Sequence, residues 1–355
     1  AGIISPWNYP LILTLSPLVD GLLAGNSVIL KPSEQTPLTA QLLKKIWDQT
    51  TKQNDLFIPV YGTGEIGSAI VDSDKTDVIC FTGSTVVGRK IAEKCAKKFK
   101  PVILELGGKD PMIILDDADI QRSVDAALWG GLSNAGQTCI SVEKIFVHEK
   151  IYKEFVEKIS FKINRMSSGP DSSSIGPITL NSNYQKINSL IEESKINSQI
   201  VQGNSKLGSF IAPTLVIDPP IDSNIMKEEI FGPVITLHPF KAIEDLLSKA
   251  NHSNYGLSAS IFGKNKKKIN FIARRLNVGA IAINDVLSYY GITDLPFGGV
   301  KYSGVGKVHG KEGIRSFCRQ KSYITPRIKL KHELWWFKRN NNFGKLLQKI
   351  IPWYY

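Results

Sequence analysis

Short apolar segments alternate with amphipathic segments between residues 3 and 104. The apolar segments predict β-strands at Gly2–Ser5, Ser27–Leu30, Leu56–Val60, Val78–Phe81 and Val102–Glu105. The amphipathic segments predict helices at Leu11–Leu23, Pro37–Lys52, Gly64–Val71 and Val86–Lys98. Strands joined by crossover helices form a parallel sheet. This part of the chain therefore predicts a doubly wound α/β unit, which binds nucleotides at the carboxyl ends of its strands.

The alternation restarts after the glycine pair at 107–108 and continues to residue 284. Further strands are predicted at Met112–Leu115, Lys144–His148, Val234–Leu237, Ser258–Phe262 and Ala280–Asn284. Further helices are predicted at Ile120–Asn134, Ile151–Met166, Ile243–Asn251 and Lys266–Leu276. We therefore expect a nucleotide-binding domain at 1–107, a second α/β domain at 108–305, and a return segment with a C-terminal strand and tail at 306–355.

The composition is typical of a soluble globular protein, with 42% hydrophobic and 21% charged residues. A chain of 355 residues is long enough for two domains. The formal net charge is +12, but the lysines are scattered over many segments and no nucleic-acid-binding motif accompanies them. We therefore expect no nucleic-acid partner and interpret the charge as a solvated surface that attracts anionic ligands.

The cysteines predict neither a metal site nor a disulfide framework. Cys80, Cys95, Cys139 and Cys318 are widely spaced, without a Cys-x-x-Cys motif or a histidine cluster. A reducing, cytoplasmic compartment is the expectation, since no signal peptide or spanning apolar segment is visible. Ala1 is not an initiating methionine, so we expect the chain to be a fragment.

The C-terminal tail differs in composition from the rest of the chain. Residues 333–355 combine tryptophan, tyrosine and phenylalanine with lysine and arginine. Such a mixture is found in segments that lie on membrane surfaces, but aromatic residues also fill contacts between subunits. We favour packing or subunit contact over contact with a membrane.

A cysteine lies among small residues directly after the helix predicted at Ile120–Asn134. The surrounding segment, Ser133–Ser141, reads Ser-Asn-Ala-Gly-Gln-Thr-Cys-Ile-Ser. We expect Ala135 and Gly136 to leave the backbone open around Cys139, which makes its thiol a candidate nucleophile. The alternative is a small buried hydrophobic residue, and the segment alone does not decide between the two.

Two strand ends carry residues that could bind a dinucleotide. Gly83 and Ser84 open a predicted helix, where free N–H groups favour a phosphate, and Gly88 would allow tight contact between helix and strand. The spacing of these glycines is Gly-x-x-x-x-Gly and differs from the usual dinucleotide-binding fingerprint, Gly-x-Gly-x-x-Gly. The alternative is therefore a plain turn between strand and helix. Lys31 and Glu34 follow another strand and could bind ribose hydroxyls, or simply form a charged pair. A carboxylate there would repel a 2′-phosphate, which favours NAD over NADP.

Glu105 and Asn8 are candidate catalytic residues. Glu105 ends an apolar strand between Leu104 and Leu106, so desolvation should raise the pKa of its carboxyl towards the range of a general base. Its alternative role is to cap neighbouring amides. Asn8 lies between two prolines, where a fixed amide could stabilise an oxyanion, although such a residue also suits a simple turn.

Together these segments resemble the NAD(P)-dependent aldehyde dehydrogenase superfamily. Its motifs occur in family order: PWNYP at Pro6–Pro10, KPSE at Lys31–Glu34, FTGST at Phe81–Thr85, ELGGK at Glu105–Lys109, GQTC at Gly136–Cys139, EEIFGP at Glu228–Pro233 and PFGG at Pro296–Gly299. The resemblance covers nearly the whole chain. Family members also carry a leading segment before the first motif, which supports the expectation of a truncated chain.

The resemblance implies a role for each matching residue. Cys139 would attack the aldehyde to form a thiohemiacetal, and Asn8 with the Cys139 N–H would form the oxyanion hole. Glu105 would activate the water that hydrolyses the acyl-enzyme. The implied cofactor contacts are Lys31 and Glu34 for the adenosine ribose, Gly83 and Ser84 for the pyrophosphate, and Glu229 and Phe231 for the nicotinamide riboside. Lys109 and Phe297 belong to family motifs without an assigned role.

The resemblance implies oxidation of an aldehyde to a carboxylic acid with NAD, or NADP, in a homodimer or homotetramer. Lys321–Thr325 resembles the strand that family members lend to a partner subunit. One alternative is a CoA-acylating semialdehyde dehydrogenase, against which Glu105 argues because CoA release needs no base for water. The other is a non-catalytic nucleotide-binding remnant, which the missing leading segment favours.

Overall fold

The computed structural model describes residues 1–170 and 175–327, together with positions 336, 344–345 and 348–349. Residues 1–318 form one compact unit and residues 319–355 form a second. Residues 321–325, predicted as a strand, form no ladder with the other residues that the structure describes, and their pairing with another subunit stays a prediction. Most of the aromatic and basic tail, 333–355, lies outside the described residues. In the described part, no helix is long and apolar enough to cross a bilayer.

The elements predicted for the first third of the chain are confirmed, each to within two residues at either end. The strands are β1 (Gly2–Ile4), β2 (Val28–Lys31), β3 (Phe57–Pro59), β4 (Ile79–Thr82) and β5 (Val102–Glu105). The helices between them are α1 (Ile12–Leu23), α2 (Pro37–Thr50), α3 (Gly64–Asp72) and α4 (Thr85–Lys97).

The remainder of the described chain contains the other predicted elements and several that the hydrophobic pattern does not show. Its strands are β6 (Asp110–Ile114), β7 (Val142–His148), β8 (Ser167–Ser168), β9 (Gln199–Gln202), β10 (Asn204–Ser205), β11 (Thr214–Ile217), β12 (Val234–Phe240), β13 (Ser258–Phe262), β14 (Ala280–Ile283) and β15 (Gly304–Val305). Its helices are α5 (Ile120–Leu132), α6 (Glu149–Ile163), α7 (Asn181–Ser194), α8 (Asn224–Lys227), α9 (Ile243–Asn251), α10 (Lys266–Ala273) and α11 (Gly310–Ser316).

The first sheet has the order β15-β5-β4-β1-β2-β3, and all its pairs are parallel except that of β15 with β5. The chain runs outward from β1 through β2 to β3 and then crosses back to β4 on the other side of β1. This reversal leaves a crevice beyond the carboxyl ends of β1 and β4, which is where open α/β sheets bind ligands. The predicted doubly wound fold is confirmed.

The second sheet has the order β14-β13-β6-β7-β12-β11-β9, and only the edge strand β9 is antiparallel to its neighbour. Every residue of β6 and β13 is buried. Parallel strands of this kind are covered by helices on both faces, which explains why even their polar residues, Asp110, Ser258 and Ser260, are buried. The division of this unit into a nucleotide-binding and a second α/β domain, at 1–107 and 108–305, stays a prediction.

Helix α4 packs closely on the first sheet at Gly88. A Cβ atom at Gly88 would lie 2.4 Å from Cδ2 of Leu106, the residue after β5. This contact confirms the tight approach of helix and strand that the sequence predicts. The same contact holds α4 against the sheet, and α4 begins directly after Gly83 and Ser84.

Replacing Gly88 by alanine should destabilise the protein because the added methyl group overlaps Leu106. We expect Gly88→Ala to lower the free energy of unfolding by about 1–3 kcal/mol, the usual cost of overpacking a core. Gly64→Ala is the matched control, since no atom lies within 4 Å of a Cβ built at Gly64. Urea unfolding of both variants tests this, and equal midpoints would contradict the tight contact.

Candidate active site

The loop that carries Cys139 has an unusual backbone conformation. Three consecutive residues after α5 have positive φ, with values of 53° at Asn134, 56° at Ala135 and 70° at Gly136. A Cβ atom at Gly136 would lie 2.0 Å from the carbonyl oxygen of Gly232. The expectation that these small residues leave the backbone open is therefore wrong, because Ala135 and Gly136 are buried against a neighbouring segment. The loop then presents Cys139, which is only partly buried, just before β7.

The segment after β1 is fastened to this cysteine loop. The Asn8 side-chain amide donates to the carbonyl oxygen of Gln137 at 2.9 Å. In return, the Asn134 amide donates to the backbone carbonyl of Asn8 at 3.0 Å. A third contact joins the Tyr9 hydroxyl to Oγ1 of Thr138 at 2.8 Å. Asn8 is thus held by the loop that positions the thiol, beyond what an ordinary turn residue requires.

A buried ion pair lies beneath the site. The Lys109 ammonium donates to the Glu143 carboxylate at 2.7 Å, and the two side chains are 0% and 3% exposed. The Glu143 carboxylate also accepts the backbone N–H groups of Ile230 at 2.9 Å and Phe231 at 3.0 Å. Lys109 therefore has a structural role that its motif did not reveal. Glu143 was not predicted, although a charged residue within the buried strand β7 is a signal that could have identified it.

Glu105 lies at the end of β5 and is 6% exposed. Neither carboxylate oxygen has a hydrogen-bond partner among the described residues. Burial raises the pKa of this carboxyl well above its usual value, and the Lys307 ammonium opposes the shift only in part. The predicted desolvation of Glu105 is confirmed, and its carboxylate oxygens are available to accept hydrogen bonds from a ligand or a water molecule.

Glu229 and Phe231 approach the same place from the segment before β12. The Glu229 carboxylate accepts the backbone N–H of Gly108 at 3.1 Å. Phe231 has a φ of 56° and packs edge-on against Trp7, with ring centroids 5.8 Å apart. A Cβ atom at Gly107 would lie 2.4 Å from the Glu229 carboxylate. The glycine at position 107 is therefore required for this carboxylate to enter the cleft.

The other predicted cofactor residues lie at the carboxyl ends of β4 and β2. Ser84 caps α4, its hydroxyl accepting the N–H of Val87 at 3.4 Å, so the start of this helix faces the crevice. Lys31 is 4% exposed, and its ammonium donates to Glu34 at 2.6 Å. This contact holds the pKa of the Glu34 carboxyl below its usual value. Lys31 and Glu34 thus form the charged pair that the sequence suggested.

Seven of the nine predicted site residues line a single cleft at the crevice of the first sheet: Asn8, Gly83, Ser84, Glu105, Cys139, Glu229 and Phe231. Lys31 and Glu34 do not line it and follow β2, the next strand along. Lys186 of helix α7 also lines the cleft and donates to the carbonyl oxygen of Glu229 at 2.6 Å. Sequence reasoning missed this lysine because α7 is not among the predicted helices.

The surroundings of the cleft raise the pKa values of the acidic groups in and near it. Burial raises the pKa of the Cys139 thiol. Three carboxylates raise it further, those of Glu229, Asp110 and Glu105. Burial likewise raises the pKa of Glu229 to about 7 and that of Asp110 to about 8. A ligand that brings positive charge into the cleft would favour ionisation of all these groups.

Cys139 also lines a second cavity, of about 1050 Å³. Asn8 and Leu13 are common to this cavity and the cleft, so the thiol and the Asn8 amide lie where the two meet. Tyr290 forms part of its wall and packs edge-on against Phe297, with ring centroids 4.8 Å apart. Phe297 therefore supports this wall, which gives a structural reason for its presence in a motif.

The chain matches the sequence profile of the aldehyde dehydrogenase family over residues 1–323. It is 37% identical over 342 residues to a 4,4'-diapolycopene aldehyde oxidase of Methylomonas sp. It is 36% identical over 344 residues to the mitochondrial benzaldehyde dehydrogenase of Antirrhinum majus. These matches cover 95% and 94% of the chain but 64% of either relative, so the chain spans less than two thirds of the length of these relatives.

Solved structures agree with the fold. An NAD-dependent aldehyde dehydrogenase from Sinorhizobium meliloti superposes with a TM-score of 0.89 at 31% identity, over 95% of the chain and 68% of that structure. The aldehyde dehydrogenase of Mycobacterium tuberculosis, solved in complex with NAD+, gives a TM-score of 0.87 at 33% identity, over 92% of the chain and 68% of that structure. The agreement thus extends over nearly all of the chain.

Removing one partner of the buried ion pair should destabilise the protein strongly. Lys109→Met leaves the Glu143 carboxylate buried without its cation, which typically costs about 3–5 kcal/mol. Lys249→Met is the control, since the exposed Lys249–Asp245 pair has the same separation of 2.7 Å and exposed pairs contribute little. Urea unfolding should show a large shift for the first variant alone, and similar shifts for both would argue against the role given to Lys109.

Proposed function

Because the chain belongs to the aldehyde dehydrogenase family, we propose that it oxidises an aldehyde to a carboxylic acid, with NAD as the acceptor of the hydride. One observation carries the proposal: a thiol, an amide fixed by the thiol's own loop, and a buried carboxylate that has no hydrogen-bond partner among the described residues line one cleft. These are the three groups needed for covalent capture of a carbonyl carbon and later release of an acyl group by water.

Cys139 is the nucleophile of the proposed reaction. Its sulfur, as the thiolate, forms a bond to the aldehyde carbon, and the carbonyl oxygen becomes the oxyanion of a thiohemiacetal. One N–H of the Asn8 amide is used by Gln137, so the second is left to donate to this oxyanion together with the Cys139 N–H. Preorganised donors of this kind are each worth several kcal/mol in the transition state, about 3–4 in a well-studied protease.

The residues of the cleft fit NAD. The capped start of α4 offers free N–H groups to a pyrophosphate, next to Gly83 and Ser84. Glu229 offers carboxylate oxygens to ribose hydroxyls, in space that a side chain at Gly107 would fill. When bound there, NAD supplies a nicotinamide ring that accepts a hydride from the carbon attached to Cys139.

NAD is proposed in preference to NADP because of Glu34. Its carboxylate, held by the Lys31 ammonium, can accept a hydrogen bond from a ribose 2′-hydroxyl and would repel a 2′-phosphate. The Mycobacterium tuberculosis structure, solved in complex with NAD+, shows that a similar fold binds this dinucleotide, and the preference over NADP rests on Glu34 alone.

Glu105 is the proposed general base for hydrolysis of the thioester. Its oxygens have no hydrogen-bond partner in the described part of the chain, so they can accept the proton of a water molecule that attacks the acyl carbon, which frees the Cys139 thiolate and gives the acid. An enzyme that released the acyl group to CoA would not need this base, so Glu105 favours water as the acceptor.

Removal of the thiol should abolish turnover but not cofactor binding. Cys139→Ala should form no NADH from any aldehyde, while its affinity for NAD, followed by titration calorimetry, should stay close to that of the unmodified protein. Cys318→Ala is the control, because Cys318 is an exposed free cysteine outside the cleft. Turnover that persists in Cys139→Ala would exclude this mechanism.

Loss of the base should separate the two halves of the reaction. In Glu105→Gln we expect one rapid equivalent of NADH and then steady turnover slowed by about 10²–10⁴, the usual contribution of a general base. A raised pKa keeps the Glu105 carboxyl neutral up to a higher pH than an ordinary glutamate, so the hydrolysis rate should rise with pH as this group ionises. Stopped-flow NADH absorbance at several pH values tests both points. If Glu105→Gln still loses hydrolysis rate at low pH as the unmodified protein does, the pH dependence belongs to another group.

A further inference from the structure

The second cavity at Cys139 is lined mainly by apolar side chains: Leu11, Ile12, Trp129, Val286, Leu287 and Tyr290. Three of these are poorly covered by the protein, since Trp129 is 65% exposed, Leu11 52% and Ile12 45%. At about 1050 Å³, the cavity is much larger than a short aldehyde requires. It therefore offers an apolar surface that leads directly to the thiol.

The charge on the side chains that line this cavity is negative only. Among the described residues that line it there is no lysine, arginine or histidine, and Asp285 is the only aspartate or glutamate. The Asp285 carboxylate accepts the N–H of Val286 at 2.7 Å and the hydroxyl of Ser288 at 2.5 Å, which fixes it at an exposed position of the wall. By contrast, the lysine that lines the cofactor cleft, Lys186, is absent from this cavity.

We propose that this cavity selects neutral aldehydes with an extended apolar chain and that Asp285 rejects aldehydes carrying a second carboxylate. The inference rests on the proposed function, because it takes Cys139 as the atom that captures the substrate. An apolar chain would lose water against the exposed tryptophan, leucine and isoleucine side chains. A substrate carboxylate would lose its hydration without a cation to replace it, and would face the negative charge of Asp285.

Alkylation of the thiol tests this selectivity without any need for turnover. N-alkyl iodoacetamides of increasing chain length and iodoacetate each form a thioether with a cysteine sulfur as iodide leaves. Rates at Cys139 are measured by peptide mass spectrometry relative to the exposed Cys318 of the same chain. The relative rate should rise with alkyl length and be lowest for iodoacetate. A rate independent of chain length, or a preference for iodoacetate, would overturn the proposal.

Asp285→Asn isolates the contribution of the charge. The amide oxygen can still accept the N–H of Val286, so the variant removes charge while keeping the wall in place. The relative rate with iodoacetate should rise about two- to fivefold, the size expected for one exposed charge, and the rates with alkyl reagents should not change. Asp294→Asn, an exposed aspartate that does not line the cavity, is the control. An equal rise in both variants would overturn the role of Asp285.

Turnover separates failure of this inference from failure of the proposed function. The full chain is assayed with long-chain, aromatic and carboxylated aldehydes. The variant Leu11→Ala is assayed with the same aldehydes, and Leu38→Ala is its control, because Leu38 is an exposed leucine on α2 away from the cavity. Leu11→Ala alone should lower kcat/KM for the long-chain aldehydes, by about threefold or more. A preference for carboxylated aldehydes would overturn the selectivity and leave the dehydrogenase intact. Absence of turnover with every aldehyde would overturn the proposed function, and the alkylation rates would still decide the selectivity.

Discussion

The ion pair between Lys109 and Glu143 is the contact on which the site depends. Residues 106–109 connect β5, the last parallel strand of the first sheet, to β6 of the second. Glu143 lies in β7, directly beyond the cysteine loop, and binds the backbone of Ile230 and Phe231. One buried pair therefore joins the segments that carry Glu105, Cys139 and Glu229. The pair is supported by the two backbone N–H groups that Glu143 also accepts, because a buried ion pair without further hydrogen bonds loses more free energy in desolvation than its attraction returns.

Topology explains why these segments meet. The order of the first sheet reverses at β1, so the segments after β1 and β4 face one crevice. The carboxyl end of β5 lies beside them, and the second sheet brings the cysteine loop at the start of β7 against the same opening. None of the groups with a proposed catalytic role therefore needs a long flexible loop to reach its position. Each follows or precedes a strand by a few residues, which is how a rigid scaffold holds reacting groups in place.

The sequence predicted most of this arrangement for identifiable reasons. Buried parallel strands are rich in apolar residues, so β1 to β7 and β12 to β14 were recognisable, whereas the short strands β8, β9 and β10 carry no such pattern. Strand β11 was also missed, although its four residues are buried and mostly apolar. Seven site residues could be placed in one cleft because each belongs to a motif at a strand end. The pairing of Lys109 with Glu143 could not be predicted, since the two residues are 34 positions apart and only the assembled sheets bring them together. The burial of Ala135 and Gly136 was missed for the same reason, as it depends on the distant Gly232.

The raised pKa of the Cys139 thiol has a consequence for the lifetime of the protein. Peroxides and other cellular oxidants react with the thiolate rather than with the thiol, and oxidation beyond the sulfenic acid is largely irreversible. Burial and the surrounding acidic side chains raise the pKa of Cys139, which lowers the fraction of thiolate at neutral pH. In the proposed mechanism, the same surroundings that hold back the nucleophile until its ligands arrive would also shield it from oxidation between turnovers.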